Sequence, residues 1–230
     1  MVFLTLCVTI SLLSASPLEW CKQLCSDAKY VISSPFRWDR SDWLKFSLAI
    51  GTTGGLMSVD ERIRSFVQAN RSSLSDKIVD VFKPLGASST LLIVVGGTYL
   101  SGSITHNAKL QKIALLGSES MVISSVIVIT IKILAGRNRP YTDKGAFAYS
   151  GPSLSDCNHS FPSAHTSIAF SVASCIADEC ENPLIAIIAY GLATTVGLCR
   201  IYSDKHWSSD VFVGALIGTF VGKTLVRLKK

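Results

Sequence analysis

Long apolar runs alternate with short polar stretches along most of this 230-residue chain. We interpret these runs as helices. From residue 44 onward the pattern predicts six of them, at 44–59, 87–103, 113–134, 167–177, 184–199 and 211–226. Several are shorter than the roughly 20 residues that cross a bilayer. The predicted fold is all-α, a six-helix membrane-embedded bundle.

Small residues recur on several of these runs and predict where helices approach each other closely. Glycine faces let the backbones of membrane helices pack together. The candidates here are Gly96, Gly97, Gly214, Gly218 and Gly222.

A further apolar run, 2–15, precedes the bundle and is short for a full span. Small residues before Pro17 resemble a cleavage site. Residues 1–16 are therefore interpreted as either a signal peptide or an uncleaved N-terminal anchor, 17–43 as a polar N-terminal segment, and 44–230 as one domain. If the leader is cleaved, residues 17–43 would lie on the extracytoplasmic side of the membrane. The alternation of helices across the membrane instead requires the first bundle helix to begin on the cytoplasmic side. An uncleaved anchor restores the alternation, as does a 44–59 run that spans only partly.

The stretch from residue 60 to 86 has apolar side chains at near-helical spacing. It predicts an amphipathic helix, or a pair of helices, lying on a surface. Pro84 and Gly86 are predicted to end it.

Basic residues predict the orientation of the bundle. The connection at 105–112 and the tail at 223–230 are both rich in lysine, so both are expected on the cytoplasmic side. Strict alternation then puts the end of run 113–134 and the starts of runs 167–177 and 211–226 on the extracytoplasmic side. These three places carry the chemically informative residues.

Composition favours a membrane protein over a nucleic-acid-binding one. Of the residues, 48% are hydrophobic and only 17% charged, with a mean hydropathy of +0.40. The formal charge of +6 is scattered beside apolar runs, so we expect no nucleic-acid partner. The seven cysteines form no zinc-like double pair, and those in apolar runs are read as buried thiols.

The first polar cluster is KILAGRNRPY, with Lys132 and Arg139 seven residues apart. On a helix these positions share a face, and Pro140 would mark its end. Two cations converging at a helix end could clamp an anion. The structural alternative is that both side chains snorkel to a membrane boundary.

The second cluster, SFPSAHTS, opens an apolar helix. Pro162 and Ser163 suit a helix start, where free N–H groups attract anions. His165 in the first turn could donate a proton to a group held there. Alternatively, the serine is only a helix cap and the histidine is incidental.

The third cluster is RIYSDKHWSSD, which leads into the last apolar run. His206 and Asp210 are four apart, so on a helix the carboxylate could accept a hydrogen bond from the imidazole and orient it. Arg200 does not share that face, so a bend must bring it into the same site. The alternative is an interfacial polar belt with Trp207 as its anchor.

Together the three clusters favour a functional site over these structural alternatives. They supply three cations, a hydroxyl and two histidines on one predicted side of the bundle. Cations with two histidines, and without acidic metal ligands, suit a tetrahedral oxyanion and require neither a metal nor another cofactor.

The three clusters resemble, in order and spacing, the signature of the type 2 phosphatidic acid phosphatase superfamily, which includes the vanadium haloperoxidases. That signature reads K-x6-R-P, P-S-G-H and S-R-x5-H-x3-D, and here it reads KILAGRNRP, PSAH and CRIYSDKHWSSD. The motifs cover about 132–210, and the helix layout extends the resemblance to most of 44–226.

The resemblance implies a phosphohydrolase that forms a covalent phosphohistidine. His206 would be the nucleophile, with Asp210 orienting it and raising its basicity, and His165 would protonate the leaving alkoxide and then activate water. The charge on phosphate would be neutralised by Lys132, Arg139, Ser163, the Ala164 N–H and Arg200.

Two residues depart from the family pattern. Ala164 replaces a glycine, which would matter if the backbone there had positive φ. Cys199 replaces a serine in a supporting position. Neither change removes a predicted nucleophile, acid or cation, so activity is expected.

The expected function is hydrolysis of a phosphomonoester or pyrophosphate, with a lipid phosphate as substrate and the membrane as partner. Phosphatidic acid, phosphatidylglycerol phosphate and polyprenyl phosphate types all fit. The alternatives are a secreted or periplasmic acid phosphatase of broad specificity, a lipid phosphotransferase, and a non-catalytic membrane protein that keeps the fold. A haloperoxidase is disfavoured because the chain is small and hydrophobic.

Overall fold

Eight α-helices form the part of the chain that the computed structural model describes, residues 17–230. They are α1 (Pro17–Ile32), α2 (Arg40–Ala69), α3 (Ser73–Phe82), α4 (Ser88–Ile104), α5 (Ala108–Ala135), α6 (Ala164–Cys180), α7 (Pro183–Tyr202) and α8 (Ser208–Leu228). The described residues are thus all-α, as predicted. The predicted signal peptide or anchor at 1–16 lies outside them.

The run at 44–59 does not form a helix of its own. It is the apolar part of α2, a single helix of 30 residues. The predicted amphipathic stretch is therefore divided between the end of α2, helix α3 and a 3-10 turn at Lys83–Gly86. The charged residues after Val59 do not end α2 because two of them, Asp60 and Arg64, find partners on neighbouring loops.

Three helices, α5, α7 and α8, are long and apolar enough to cross a membrane. A fourth span results if α3 and α4, which meet at 61°, act together as one broken span. Helix α6 has 17 residues and lies largely buried among its neighbours. The six crossing helices inferred from the runs remain a prediction.

Close packing between α6 and α8 forms the centre of the bundle. A Cβ atom at Gly214 would lie 2.5 Å from the carbonyl oxygen of Ser163, just before α6, and one at Gly222 would lie 2.5 Å from a carbonyl oxygen of α6. A Cβ atom at Gly218 would also collide with the α6 backbone. The predicted close approach at these three glycines is confirmed. The prediction of close helix packing is wrong for Gly96 and Gly97, where a Cβ atom would meet nothing within 4 Å among the described residues.

The segment predicted only as polar folds into α1, which crosses one end of the bundle. Its Trp20 and Val31 are buried. Lys229 after α8 binds two carboxylates there, Asp27 at 2.9 Å and Glu119 at 3.1 Å. We call this region the α1 end. The starts of α6 and α8 and the ends of α5 and α7 meet at the opposite end, the site end.

Candidate active site

Lys132 lies in the last turn of α5 with its side chain buried. Its ammonium donates to the backbone oxygens of His159, at 2.5 Å, and Ser160, at 3.2 Å. The loop that leads into α6 thus holds Lys132 through carbonyl groups. This geometry leaves the positive charge of Lys132 unneutralised by hydrogen-bonded carboxylates within residues 17–230.

Arg139 does not share a helix face with Lys132, and the expectation from their spacing is wrong. Helix α5 ends at Ala135 because Gly136 takes up a left-handed conformation, with φ of 59°. Any Cβ at Gly136 would collide with the carbonyl oxygen of Gly151. Arg139 therefore lies in a loop.

The Arg139 guanidinium binds Asp156, a residue not singled out from the sequence. It donates to the backbone oxygen of Asp156 at 2.9 Å and to its carboxylate at 2.8 Å. The Asp156 side chain is exposed, whereas that of Arg139 is only 11% exposed. Asp156 thus orients the arginine from the solvent side.

The start of α6 has the capping geometry predicted for it. Ser163 is the N-cap, and its hydroxyl accepts from the hydroxyl of Thr166 at 2.9 Å. Ala164 is the first helical residue and has no positive φ. Alanine therefore costs nothing here in backbone strain. His165 follows, partly buried, and the 3-10 turn packs beside it at Gly86.

The bend that was expected between Arg200 and His206 is present. Arg200 lies in the last helical turns of α7, and residues 203–207 form a loop before α8 begins. Arg200 is buried, and its Nε has no hydrogen-bond partner within residues 17–230. A buried guanidinium that is incompletely bonded is costly unless an anion completes it.

The expected hydrogen bond between His206 and Asp210 is not formed. His206 lies before α8 rather than on it, and its Nδ1 is 3.7 Å from the Asp210 carboxylate. That carboxylate oxygen instead accepts from the backbone N–H of Trp207, at 2.8 Å, and from the Ser160 hydroxyl. The separation is beyond hydrogen-bond length, so Asp210 acts on the imidazole only through its charge here.

Burial dominates the electrostatics of His206. It lowers the pKa of His206 to about 3, although the Asp210 carboxylate opposes this effect. The imidazole is therefore neutral at pH near 7, and its nitrogen lone pair is available.

The three predicted cations are close enough to influence one another. The positive charge of Arg139 acts on both Lys132 and Arg200, and the charges of all three residues act on the imidazole of His165. Like charges converge on one place only at a cost in free energy. Such an arrangement is suited to hold a multiply charged anion.

Trp207 is not an interfacial anchor, and that interpretation is wrong. The side chain is 2% exposed, and its indole N–H donates to the backbone oxygen of Asn138 at 3.0 Å. The guanidinium groups of Arg137 and Arg64 lie 5.6 and 5.8 Å from its ring. The indole can be buried because its N–H has a hydrogen-bond partner inside the site end. The two neighbouring guanidinium groups also have partners there.

Sequence reasoning missed two fully buried residues, Arg137 and Asp60. Arg137 donates to the Asp210 carboxylate at 2.6 Å and to the Asp60 carboxylate at 2.9 Å. Asp60 also accepts from the backbone N–H of Ser209 at 3.0 Å. One signal was available, since Asp60 ends an apolar run and an apolar helix tolerates a carboxylate only with a partner.

Comparison with known proteins assigns the family. The sequence model of the PAP2 superfamily matches residues 114–230, just over half of the chain, and the chain belongs to that superfamily. The match contains every predicted site residue and does not include α2.

Three relatives are more specific. Over 67 residues the chain is 37% identical to lipid A 1-phosphatase of Porphyromonas gingivalis, covering 28% of this chain but only 15% of that protein. The chain is 28% identical in sequence to Aquifex aeolicus LpxE, whose crystal structure superposes with a TM-score of 0.55. The match covers 74% of this chain and 94% of LpxE. A transmembrane PAP2-type phosphatidylglycerolphosphate phosphatase of Bacillus subtilis shares the fold, with 19% identity, coverage of 81% and 93%, and a TM-score of 0.58. The apolar helices and these relatives together identify the chain as a membrane protein.

Proposed function

We propose that this chain is a membrane lipid phosphatase that transfers the phosphate first to His206 and then to water. One observation supports it above the others. Two buried cations, Lys132 and Arg200, act electrostatically on both histidines, and no carboxylate is hydrogen-bonded to either cation among the described residues. A phosphate ester supplies the missing negative charge.

In the first step, His206 attacks phosphorus. Its Nδ1 faces Asp210, so Nε2 forms the new P–N bond. The ester P–O bond breaks, and its electron pair stays on the leaving oxygen, which takes a proton from His165. Burial and the nearby cations lower the pKa of His165 to about 4 in the free chain, so we propose that His165 takes up this proton when the negatively charged phosphate binds. Lys132, Arg139 and Arg200 stabilise the charge on the phosphate oxygens in the transition state, with the Ala164 N–H at the start of α6.

In the second step, water takes the place of the leaving group. His165, now neutral, accepts a proton from the water as its oxygen attacks phosphorus. The P–N bond breaks, and its electron pair returns to His206. Phosphate leaves and both histidines regain their starting states. Ser163 is proposed to contribute by fixing the helix start.

A lipid substrate is supported by an apolar cavity beside the helix that carries Arg200. A cavity of about 340 Å³ lies between α2, α3 and α7, next to Cys199 and Tyr202, and its walls are almost entirely apolar. The named relatives act on lipid A and phosphatidylglycerolphosphate. We propose a lipid phosphomonoester or pyrophosphate, with lipid A 1-phosphate as the first substrate to test.

The proposed orientation places the site on the extracytoplasmic side of the membrane. Lysine-rich segments lie at the α1 end, in the connection before α5 and in the tail after α8. Positive residues favour the cytoplasm, so the site end would face outward.

A substrate panel tests this function. The full chain, purified in detergent, would be assayed on lipid A 1-phosphate, phosphatidylglycerol phosphate, phosphatidic acid, polyprenyl pyrophosphate and p-nitrophenyl phosphate. We expect phosphate release to be fastest from a lipid and to vanish in His206→Ala. His106→Asn at the α1 end is the matched control and should retain activity. Turnover by His206→Ala equal to that of the wild type would overturn the mechanism.

A further inference from the structure

Helix α2 presents a column of polar side chains to the loops of the site end. Asp60, Glu61, Arg64 and Gln68 follow one another at helical spacing, and together they bond to the loop after α5, to the end of α7 with the loop after it, and to the start of α8. Glu61 accepts from the backbone N–H of Ala146 at 2.9 Å, and Gln68 donates to the Tyr202 oxygen at 3.1 Å. The column lies outside the segment that the family model matches.

The first arm of this column runs through Asp60. Its carboxylate binds Arg137, and Arg137 binds the Asp210 carboxylate, all three side chains being fully buried. Asp60 also holds the hydroxyls of Ser208 and Ser209 at the start of α8. Asp210 therefore cannot move without breaking a chain of charge-assisted bonds that begins on α2.

The second arm runs through Arg64. Its Nε and Nη2 grip the Asp204 carboxylate at 2.7 Å each, a bidentate pair, and its Nη1 reaches Asp143 at 2.8 Å. Asp204 has a φ of 56° and lies two residues before His206. The arginine thus fixes the loop that carries the proposed nucleophile, through contacts that do not involve Asp210.

We propose that α2 positions the nucleophile of this enzyme, with Arg64 holding the His206 loop through Asp204 and Asp60 holding Asp210 through Arg137. The proposal rests on the proposed function of His206. Neither Asp60 nor Arg64 touches the reacting atoms, so both are positioning residues. Their loss should impair the reaction of bound substrate more than the binding of phosphate.

Kinetics of matched arginine variants test the proposal. Arg64→Met should lower kcat about 30-fold or more, while the inhibition constant of inorganic phosphate stays within about threefold of wild type. Arg64→Lys should recover part of kcat, because charge is restored without the bidentate grip. Arg62→Met, at an exposed arginine of the same helix, should behave as wild type. Equal kcat in the Arg62 and Arg64 variants, or a parallel loss of phosphate binding, would overturn the proposal.

A second readout does not depend on turnover. In protein labelled with ¹⁵N-histidine, the imidazole signals of His206, assigned with His206→Ala, should shift in Arg64→Met and Asp60→Asn but not in Arg62→Met. Unshifted signals in the folded variants would contradict the positioning role. Failure of the proposed function would instead appear as an inactive wild type or an active His206→Ala, with the imidazole shifts still able to decide the role of α2.

Discussion

Buried charges occur at both ends of this bundle, but among residues 17–230 only the site end leaves buried cations without carboxylates bonded to them. At the α1 end, Lys229 is bonded to two carboxylates, Asp27 and Glu119. At the site end, Lys132 bonds to carbonyl oxygens and Arg200 keeps an unpaired Nε among the described residues. A buried charge that has an oppositely charged partner needs no ligand, whereas an incompletely bonded one costs free energy and is explained by a ligand that completes it.

The largest expected effect follows from removing a buried cation that has no carboxylate bonded to it. Arg200→Met should lower kcat/KM by about 10³-fold, because one lost donor to the transition-state charge has roughly this cost. The free energy of unfolding should stay equal or rise, since an incompletely bonded guanidinium leaves the interior. Phosphate release and thermal unfolding in detergent measure both.

Arg227→Met, at an exposed residue near the end of α8, is the control for Arg200. If Arg200→Met kept activity within tenfold of the control while lowering stability, the cation would be structural and the comparison between the two ends would fail.

The paired cluster at the α1 end should respond in the opposite way. Lys229→Met leaves two largely buried carboxylates unpaired and should lower the free energy of unfolding by about 2 kcal/mol. Activity per folded molecule should not change, because Lys229 is at the far end of the bundle. Lys230→Met, at an exposed neighbour, serves as control. A large loss of kcat at unchanged stability would show that the α1 end is coupled to the site.

The pH dependence of folding stability gives a further test of the site end, because His206 is buried there. Burial lowers the folded pKa of His206 to about 3, against an ordinary value of about 6.5. Between these values the unfolded chain binds a proton that the folded chain does not. Stability from the neutral imidazole is thus fully present above pH of about 6.5 and is lost as the pH falls towards 3.

His206→Gln should therefore lose less stability than the wild type when the pH falls from about 7 to about 5, as measured by thermal unfolding. Identical slopes in the two proteins would mean that His206 does not stay neutral in the folded state.

The smallest effects are expected at the two departures from the family signature. Ala164 lies at an ordinary helix start, and Cys199 is buried next to Arg200 in the chain and forms no hydrogen bond with it. Ala164→Gly and Cys199→Ser should each change kcat/KM by less than about threefold. A tenfold change in either variant would mean that the family residue has a direct role.

The sequence predicted the parts of this molecule that depend on local pattern. Apolar runs identified the helices from α4 to α8, and Ser163 identified a helix start. Spacing along a presumed helix failed for Lys132 and Arg139, because Gly136 ends α5 first. It failed for His206 and Asp210 because α8 begins only after His206.

What could not be predicted depends on contacts between distant segments. Asp60 and Arg137 are 77 positions apart, and Arg64 and Asp204 are 140 apart. No local signal pairs them, and periodicity only marks Asp60 as unusual. Trp207 was misread for the same reason, since its partner Asn138 comes from another loop.

The most direct test of the account is to trap the phosphorylated enzyme. His165→Ala should react with labelled p-nitrophenyl phosphate, whose leaving group needs little protonation, but should hydrolyse the intermediate slowly. The proposed mechanism predicts an acid-labile, alkali-stable phosphate on His206 that is absent from the double variant His165→Ala/His206→Ala. Label on another residue, or turnover with no label on His206 on any time scale, would contradict it.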